Sequence, residues 1–395
     1  MARKKILVLA PRYPYPVIGG DRLRIYEVCK ELASDYDLTL LSLCESREEL
    51  SMPEPKDDVF RRIERILLPK WHSYLNCMWA LPMQKPLQVA YYQSKSFRKK
   101  FHELVVQHDA VFCHLIRVAD YALDCSKPVI VEFTDAISLN YSRVKSLAKN
   151  GGLKNRIYAF EQSRLEHYEK YVGQRSSLNV FVSNVDANFL FSEDELAKEK
   201  TIVCSNGVDV DFYLFSPARN SREIAFIGNM QSVQNMDAAL WFAKHVMPLL
   251  AEDGFKFKVV GRISDTNAAR LLRYKGVVVT GGVDSVADAV ADSFIGVCPM
   301  RIGAGVQNKI LEYMALGLPC ITSSMGYEGL EAIPGSDLYV IDEPEEMAKK
   351  IVWLSQHSEE RNRIAHNARA YVEKNHSWSA RLKPLMNKMN YLLGS

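Results

Sequence analysis

A chain of 395 residues is too long for one ordinary core and implies two domains. With 48% hydrophobic and 25% charged residues and a net charge of +3, it reads as a soluble globular protein. It has no apolar run near the roughly 20 residues of a membrane-spanning helix, no signal peptide in "MARKKILVLAPRYP", and eight cysteines without CxxC spacing, which argues against disulfides and zinc and fits a reducing cytoplasm.

Strand and helix signals alternate from the start. "KKILVLA" is a short apolar run, followed by the loop "PRYPYPVIGGD", a helical pattern through Leu23, Val28 and Leu32, and a second run, "YDLTLLSL". Residues 61–100 hold nine Lys or Arg (Arg61, Arg62, Arg65, Lys70, Lys85, Lys95, Arg98, Lys99, Lys100) against one acid, Glu64, interleaved with Trp71, Tyr74, Trp79, Tyr91, Tyr92 and Phe97. Such a mixture suits an anionic membrane surface, where rings sit at headgroup level. It suits nucleic acid through phosphates and stacking, and it is equally what solvated helices with aromatic core faces produce. Residues 141–175 form a second basic segment with eight bases and three acids.

The runs "DAVFCHL", "PVIVEF" and "LNVFVS" come next, with helical stretches between them. After "TIVCSNGVDVDFYLF" the series begins again as "EIAFIGN", the helix "NMDAALWFAKHVMPLL", "FKFKVVG", "GVVVTGGV", "FIGVCPM", a helix and "PCITSS". Continuous apolar strands alternating with helices require parallel sheets covered on both faces. Two series predict an α/β chain of two doubly wound domains, 1–205 and 206–375. An amphipathic C-terminal helix within 376–395 is N-capped by Ser377. Ligands bind such sheets beyond the carboxyl ends of strands, at the switch in strand order. The candidate loops are 11–20, 114–117, 132–135, 228–235, 281–284 and 301–305.

"MRIGAGVQNKILEYMALGLP", residues 300–319, is a glycine-rich bend entering a helix that stops at Gly317 and Pro319. From a start near Gly305, a helical wheel gathers Gly305, Asn308, Lys309 and Glu312 in one arc, with Val306, Ile310, Tyr313 and Met314 opposite. A helix N-terminus with free amides, approached closely through Gly303 and Gly305, binds phosphate, and Lys309 adds a point charge for a diphosphate. Glu312, about 10 Å along the helix, would repel phosphate and is placed for a ribose diol. The plain alternative is a solvated helix face.

"RIGAGVQNKILEYMALGLPCITSSMGYEGL" resembles the donor-binding segment of group-1 (family 4-like) retaining GT-B glycosyltransferases, especially an exopolysaccharide subset. "IGGDRLRIYEVCKELA", "FVSNVDANFL", "SNGVDVDFYLFSP", "FIGNMQSVQNMDAALWFA" and "VTGGVDSVADAVADS" follow the family order, so the resemblance spans roughly residues 5–380. It implies a GT-B fold, with two Rossmann-like domains facing across a cleft. The first binds acceptor, the second binds a nucleotide sugar, and the last helix crosses back to the first. By position, Glu312 matches the second glutamate of the family's E-x7-E motif. Ala304 stands where the first would be, and "GNMQSVQN", starting at Gly228 and Asn229, replaces the usual Arg/Lys pair. Gly19 and Gly20 match the first-domain glycine turn, and Gly282 and Val283 match the backbone beside the nucleobase. Arg301, Gly303, Ala304, Gly305, Val306 and Lys309 complete the donor contacts. Asp135 and Glu132 fall near the donor sugar, and His114 closes "DAVFCH" as a third catalytic candidate, although a strand-end histidine is commonly structural.

The function so implied is transfer of a sugar, with retention, from a nucleotide-diphosphate donor to a lipid-linked or glycan acceptor in bacterial surface polysaccharide synthesis. It would need no cofactor or metal and no nucleic acid, and would act in the cytoplasm on the anionic inner face of the membrane. Asp209 and Asp211 form a D-x-D but belong to the "NGVD" junction motif. There is no G-x-S-x-G turn and no P-loop. A nucleotide-sugar epimerase of the same architecture, or a non-catalytic nucleotide-sugar-binding protein, stays open as an alternative.

Overall fold

Short apolar runs bounded by polar turns form two sets of parallel strands. The computed structural model describes residues 3–17, 20–147, 153–210, 212–216, 221–302 and 306–394. The expectations placed on Gly19, Asp211, Gly303, Ala304 and Gly305 fall outside these residues. The chain divides into one unit of Met1–Asn206 with Arg381–Ser395, and a second of Gly207–Ala380.

In the first unit the described strands are β1 (Lys5–Ala10), β2 (Asp37–Cys44), β3 (Arg62–Leu67), β4 (Ala110–His114), β5 (Val129–Thr134), β6 (Leu178–Phe181) and β7 (Thr201–Val203). They lie in the order β3-β2-β1-β4-β5-β6-β7, all parallel. In the second unit β8 (Glu223–Ile227), β9 (Lys256–Val260), β10 (Val277–Gly281), β11 (Ile295–Cys298), β12 (Cys320–Thr322) and β13 (Tyr339–Val340) lie in the order β10-β9-β8-β11-β12-β13, again parallel. Central strands are buried along almost their whole length, β4 and β11 at every residue. That burial is why they read as unbroken apolar runs. Each order reverses once, between β1 and β4 and between β8 and β11, and these reversals place a ligand crevice at the carboxyl ends of those strands.

β3, β7 and β13 escape the sequence reading. All three sit at sheet edges. β3, "RIERIL", is only partly buried and hides its pattern among charges, while β7 and β13 have three and two residues, too few to show a period. The last helix, Trp378–Leu393, starts as expected after Ser377, whose Oγ accepts from Ala380 N–H at 3.2 Å. Leu382, Leu385 and Met389 are its buried face, and Tyr36 of the first unit bonds Asn390.

Candidate functional site

In the second unit the helix of the "NKILEYMAL" segment spans Asn308–Leu316. It starts three residues later than the wheel assumed, and two expectations change with it. Val306 precedes the helix and is 37% exposed, instead of lying on the buried face. Lys309 is only 8% exposed, so the solvated-face alternative fails at this residue. The helix stops where expected, with Gly317 left-handed at φ 78° and Leu318 N–H bonding the Tyr313 carbonyl at 2.9 Å. Tyr313 anchors it at the switch point. Its hydroxyl accepts from Ile227 N–H at 2.7 Å and lies 3.3 Å from the Ala225 and Val297 carbonyls of β8 and β11. Its ring fits only because residue 296 is glycine, since a Cβ there would lie 2.4 Å from it.

Around this helix the strand-end loops pack backbone on backbone. Gly261 (φ 133°) sits so close to Gly228 that a Cβ would lie 2.0 Å from the Gly228 carbonyl oxygen. Gly228 N–H bonds Val260 O at 2.9 Å, and Gly261 N–H bonds Gly281 O at 3.0 Å, so the ends of β8, β9 and β10 form one cradle. Gly282 lies beside Arg262, and Val283 packs against the unit's core. Asn235, not singled out from sequence, ties the cradle to the helix. Its Nδ2 donates to Asn229 O at 3.1 Å, and its Oδ1 accepts from Lys309 Nζ at 2.7 Å. The signal available was "SVQN", in which Ser232 caps the next helix through Asn235 N–H. Lys309 also lies 5.2 Å from the Phe226 ring, and burial lowers its pKa. Glu312, one turn on, is partly buried, and its carboxylate has no hydrogen-bond partner among the described residues. Burial raises its pKa against the pull of Lys309. A desolvated acid without a partner, one turn from a cation beside a cradle of glycine backbones, is suited to accepting hydrogen bonds from the hydroxyls of a ligand whose anionic part lies at the lysine. Arg301 differs from expectation. It makes a two-pronged pair with Asp237, at 2.9 and 3.0 Å, that draws it toward another helix.

The first unit assembles a second cluster. Gly20 opens the helix Gly20–Leu32, which carries Asp21 in its first turn and Arg24 one turn later. His114 ends β4 and pairs in register with Glu132 of β5. His114 Nδ1 donates to Glu132 Oε2 at 2.7 Å, Arg24 Nε donates to Glu132 Oε1 at 2.7 Å, and Asp21 Oδ1 lies 3.3 Å from His114 Nε2. Arg24 also reaches Ser205 O and Asn206 Oδ1 of the junction motif. Burial opposes the charge on His114, but Asp21 and Glu132 outweigh it and raise its pKa. Burial likewise opposes the charge on Glu132, and Arg24 and His114 outweigh it and bring it to about 2. The result is an alternating chain, Asp21, His114, Glu132, Arg24, in which only Asp21 is substantially exposed, at 42% of its side chain.

This arrangement places Glu132 and His114, two of the three catalytic candidates, inside the charge chain. Both are buried and paired with charged partners. Asp135 is exposed, just past β5. Leu115 and Thr134, which follow His114 and close β5, have φ of 66° and 65°, costly for residues with a Cβ and more so for a β-branched one. Such strain persists where the surroundings force it. Asp21 and Arg24 were the residues missed, although "GGDRLR" carries both one turn apart. In the junction motif Asp209 accepts from Phe212 N–H at 3.0 Å, a turn contact. Gly207 is required because a Cβ would meet the Trp378 backbone at 2.6 Å.

The 61–100 cluster is far less basic in space than in sequence. Arg61 pairs with Asp37, Arg62 with Glu64, Lys70 with Glu45, Lys85 and Arg98 with Asp120, and Lys100 with Glu64 and Glu103. Phe97 and Tyr92 belong to the core. Exposure concentrates on the helix Lys70–Ala80, where Trp71, Tyr74, Leu75, Met78 and Trp79 form one outward face, the two tryptophans at 65% and 73%. Among the described residues no helix is long and apolar enough to cross a membrane.

Solved structures share this architecture over nearly the whole chain. The UDP complex of HepE from Anabaena superposes with a TM-score of 0.60 at 14% identity, covering 98% of this chain and 100% of that one. The fold is GT-B. The other GT-B matches include sucrose-phosphate synthase from Thermosynechococcus elongatus (TM-score 0.61, 12% identity, 99% and 100% covered) and the lipopolysaccharide outer core galactosyltransferase WaaB (TM-score 0.57, 12% identity, 98% and 99% covered). Residues 221–357, within the second unit, match the family model described as Glycosyl transferases group 1. A protein of the cps region of Klebsiella pneumoniae, described as an uncharacterized 44.6 kDa protein, is 24% identical over 394 residues, 94% of this chain and 96% of its own length.

Proposed function

We propose that the chain is a glycosyltransferase that takes a sugar from a nucleoside-diphosphate donor held by the second unit. The observation that carries this reading is the pairing of Lys309, fixed by Asn235 beside a cradle of glycine backbones, with the unpartnered Glu312 one turn away. Lys309 receives the diphosphate and Glu312 receives the ribose diol. The group 1 match over this same segment and the UDP complexes of a GT-B neighbour support the assignment.

In this reading catalysis is stabilisation of the leaving diphosphate by Lys309 and the backbone amides around it, a preorganised positive site that needs no rearrangement when charge develops. The positive charge comes from this chain's own groups, so no resident metal forms part of the reading. The sugar is transferred with retention, the leaving diphosphate accepting the proton of the incoming hydroxyl. In the first unit, Asp21 and Asp135 are exposed carboxylates.

The acceptor is lipid-linked, and the product belongs to a bacterial surface polysaccharide, in keeping with the cps-region relative and the lipopolysaccharide transferase among the structural neighbours. The helix Lys70–Ala80 rests its tryptophan and methionine face in the headgroup region at the inner leaflet of the cytoplasmic membrane, and exposed Lys95 and Lys99 add attraction to anionic lipid. Incubation with radiolabelled nucleotide sugars and a membrane extract tests the function. Label appearing in a lipid-extractable product is the expected outcome; conversion of the free nucleotide sugar to an isomer, or binding alone, would replace this reading with an epimerase or a binding protein.

A further inference from the structure

The second unit holds a separate basic cavity that the donor reading leaves unused. The helix Val233–Trp241 runs into a π-helical turn, Phe242–Val246. π turns are uncommon and recur at functional sites. Along this element Asp237, Leu240, Trp241, Lys244 and His245 follow the spacing of one helix face, while Phe242, Ala243 and Val246 anchor the other in the core. Opposite them stand Arg270, at the end of the helix Asp265–Leu271, Arg273 and Tyr274 just beyond it, and Arg301. Together these residues line a cavity of about 400 Å³, a size common for small-ligand sites.

Four basic side chains, Lys244, Arg270, Arg273 and Arg301, line the cavity with one carboxylate, Asp237, and that carboxylate is already used by Arg301. Lys244, Arg270 and Arg273 have no acidic partner within salt-bridge distance among the described residues. Two half-buried rings, Trp241 and Tyr274, form part of the wall. A second cavity of about 290 Å³ shares Asp237, Leu240 and Arg270 and is floored by the loop at Met230 and Gln231. The two make one groove from the loop after β8 to the π turn. Asn267 fixes the junction, donating to Met230 O and accepting from Arg270, both at 3.3 Å.

We infer that this groove binds an anionic carbohydrate. Ring faces take the apolar face of a pyranose, and the surplus guanidinium and ammonium groups take a carboxylate or phosphate carried on it. Two sources share that chemistry, an acidic segment of a glycan and a soluble sugar phosphate. The choice of carbohydrate rests on the transferase reading; the anion site rests on the cavity itself. Bound here, an acidic glycan keeps its chain on the enzyme between transfers, whereas a sugar phosphate makes the groove a sensor of precursor supply.

The experiment is titration calorimetry on the full-length protein with four probes: a galacturonate oligomer, glucose 1-phosphate, a neutral malto-oligosaccharide and uridine diphosphate. The inference expects saturable, salt-sensitive binding of the galacturonate or the sugar phosphate, and whichever binds names the source. The neutral glycan should not bind. Arg270→Glu with Arg273→Glu should weaken that binding about tenfold or more, as loss of two exposed charge contacts implies, with uridine diphosphate affinity unchanged. Unchanged uridine diphosphate binding also shows that the variant is folded. Lys309→Ala should do the reverse. The inference is overturned if neither anion binds, if the double variant binds as well as the wild type, or if uridine diphosphate competes for the groove. Loss of the nucleotide signal with the anion signal intact would instead count against the transferase reading alone.

Discussion

Lys309 and Glu312 are one turn apart, yet burial pushes their pKa values in opposite directions, lysine down and glutamate up. A ligand that brings phosphate to one and hydroxyls to the other relieves both. Glu312→Gln keeps the shape and removes the charge. With charge-assisted bonds at about 1.5–3 kcal/mol each, it should lower kcat/KM about 10- to 100-fold with the thermal midpoint little changed. Lys309→Ala should weaken free nucleoside diphosphate more than free nucleoside, because only the first has a diphosphate. Wild-type kinetics in Glu312→Gln would remove that residue from the site. In the first unit, Glu132→Gln leaves Arg24 and His114 facing one another without their shared acid. Breaking a buried pair in this way should cost about 3–5 kcal/mol, visible in denaturant unfolding. pH separates the members of the chain. His114 has a raised folded pKa, so its contribution is complete below its unfolded value near 6.5 and is lost as pH rises through the folded one. Glu132, brought to about 2, contributes above its unfolded value near 4.5 and loses that contribution as pH falls toward 2. Glu169, pushed up to about 7 by burial, adds a decline of the same sign as that of His114 near neutrality. The difference between wild type and His114→Gln therefore isolates the histidine: the variant's stability should fall less steeply above pH 6.5. Identical slopes would show that His114 carries no stabilising charge.

At the scale of elements, what sequence disclosed depended on burial. Central strands such as "ILVLA" and "AVFCH" are covered on both faces and stand out as apolar runs, and the stop at Gly317 was visible because a left-handed cap favours glycine. β3 was hidden because an edge strand need not be apolar. The basic cluster misled for a related reason: counting charges along the chain cannot see Asp37, Glu45 and Asp120 arriving from other elements. The pairing changes the membrane prediction. Reversing Arg98, Lys99 and Lys100 alters two bases that are already paired, and should have a modest effect. Trp71→Ser with Trp79→Ser removes two exposed rings from the helix Lys70–Ala80, each worth about 1.5–3 kcal/mol when buried in an apolar phase. That double variant should lose about tenfold or more of its partition onto anionic liposomes in flotation and keep its activity on a soluble acceptor analogue. Equal flotation of the two tryptophan forms would return the face to solvent or to a protein partner.

For the whole molecule, the alternation of runs predicted two doubly wound sheets, and the strand orders place the switch points at the carboxyl ends of β1 and β4 in one unit and of β8 and β11 in the other. The charge chain was only half legible. His114 and Glu132 stood out as strand-end residues, but Asp21 and Arg24 enter the chain from a helix 90 or more positions away, a contact that no local pattern encodes. The cradle was legible as glycines, but not the Asn235 link that fixes Lys309 within it. The account depends on the second unit holding a nucleoside-diphosphate sugar across the helix Asn308–Leu316 so that its sugar is transferred. The most direct measurement follows each donor in a nucleotide-sugar panel by liquid chromatography with mass spectrometry, which separates isomers, and reads the product's anomeric proton by NMR, with a membrane extract as acceptor source, for wild type and Glu312→Gln side by side. The account predicts that one donor is consumed by the wild type, releasing nucleoside diphosphate in step with a glycosylated lipid-extractable product of the same anomeric configuration, and that the variant does this 10- to 100-fold more slowly. Consumption of a donor at equal rates by both proteins, or turnover to an isomeric nucleotide sugar with no diphosphate released, would contradict it.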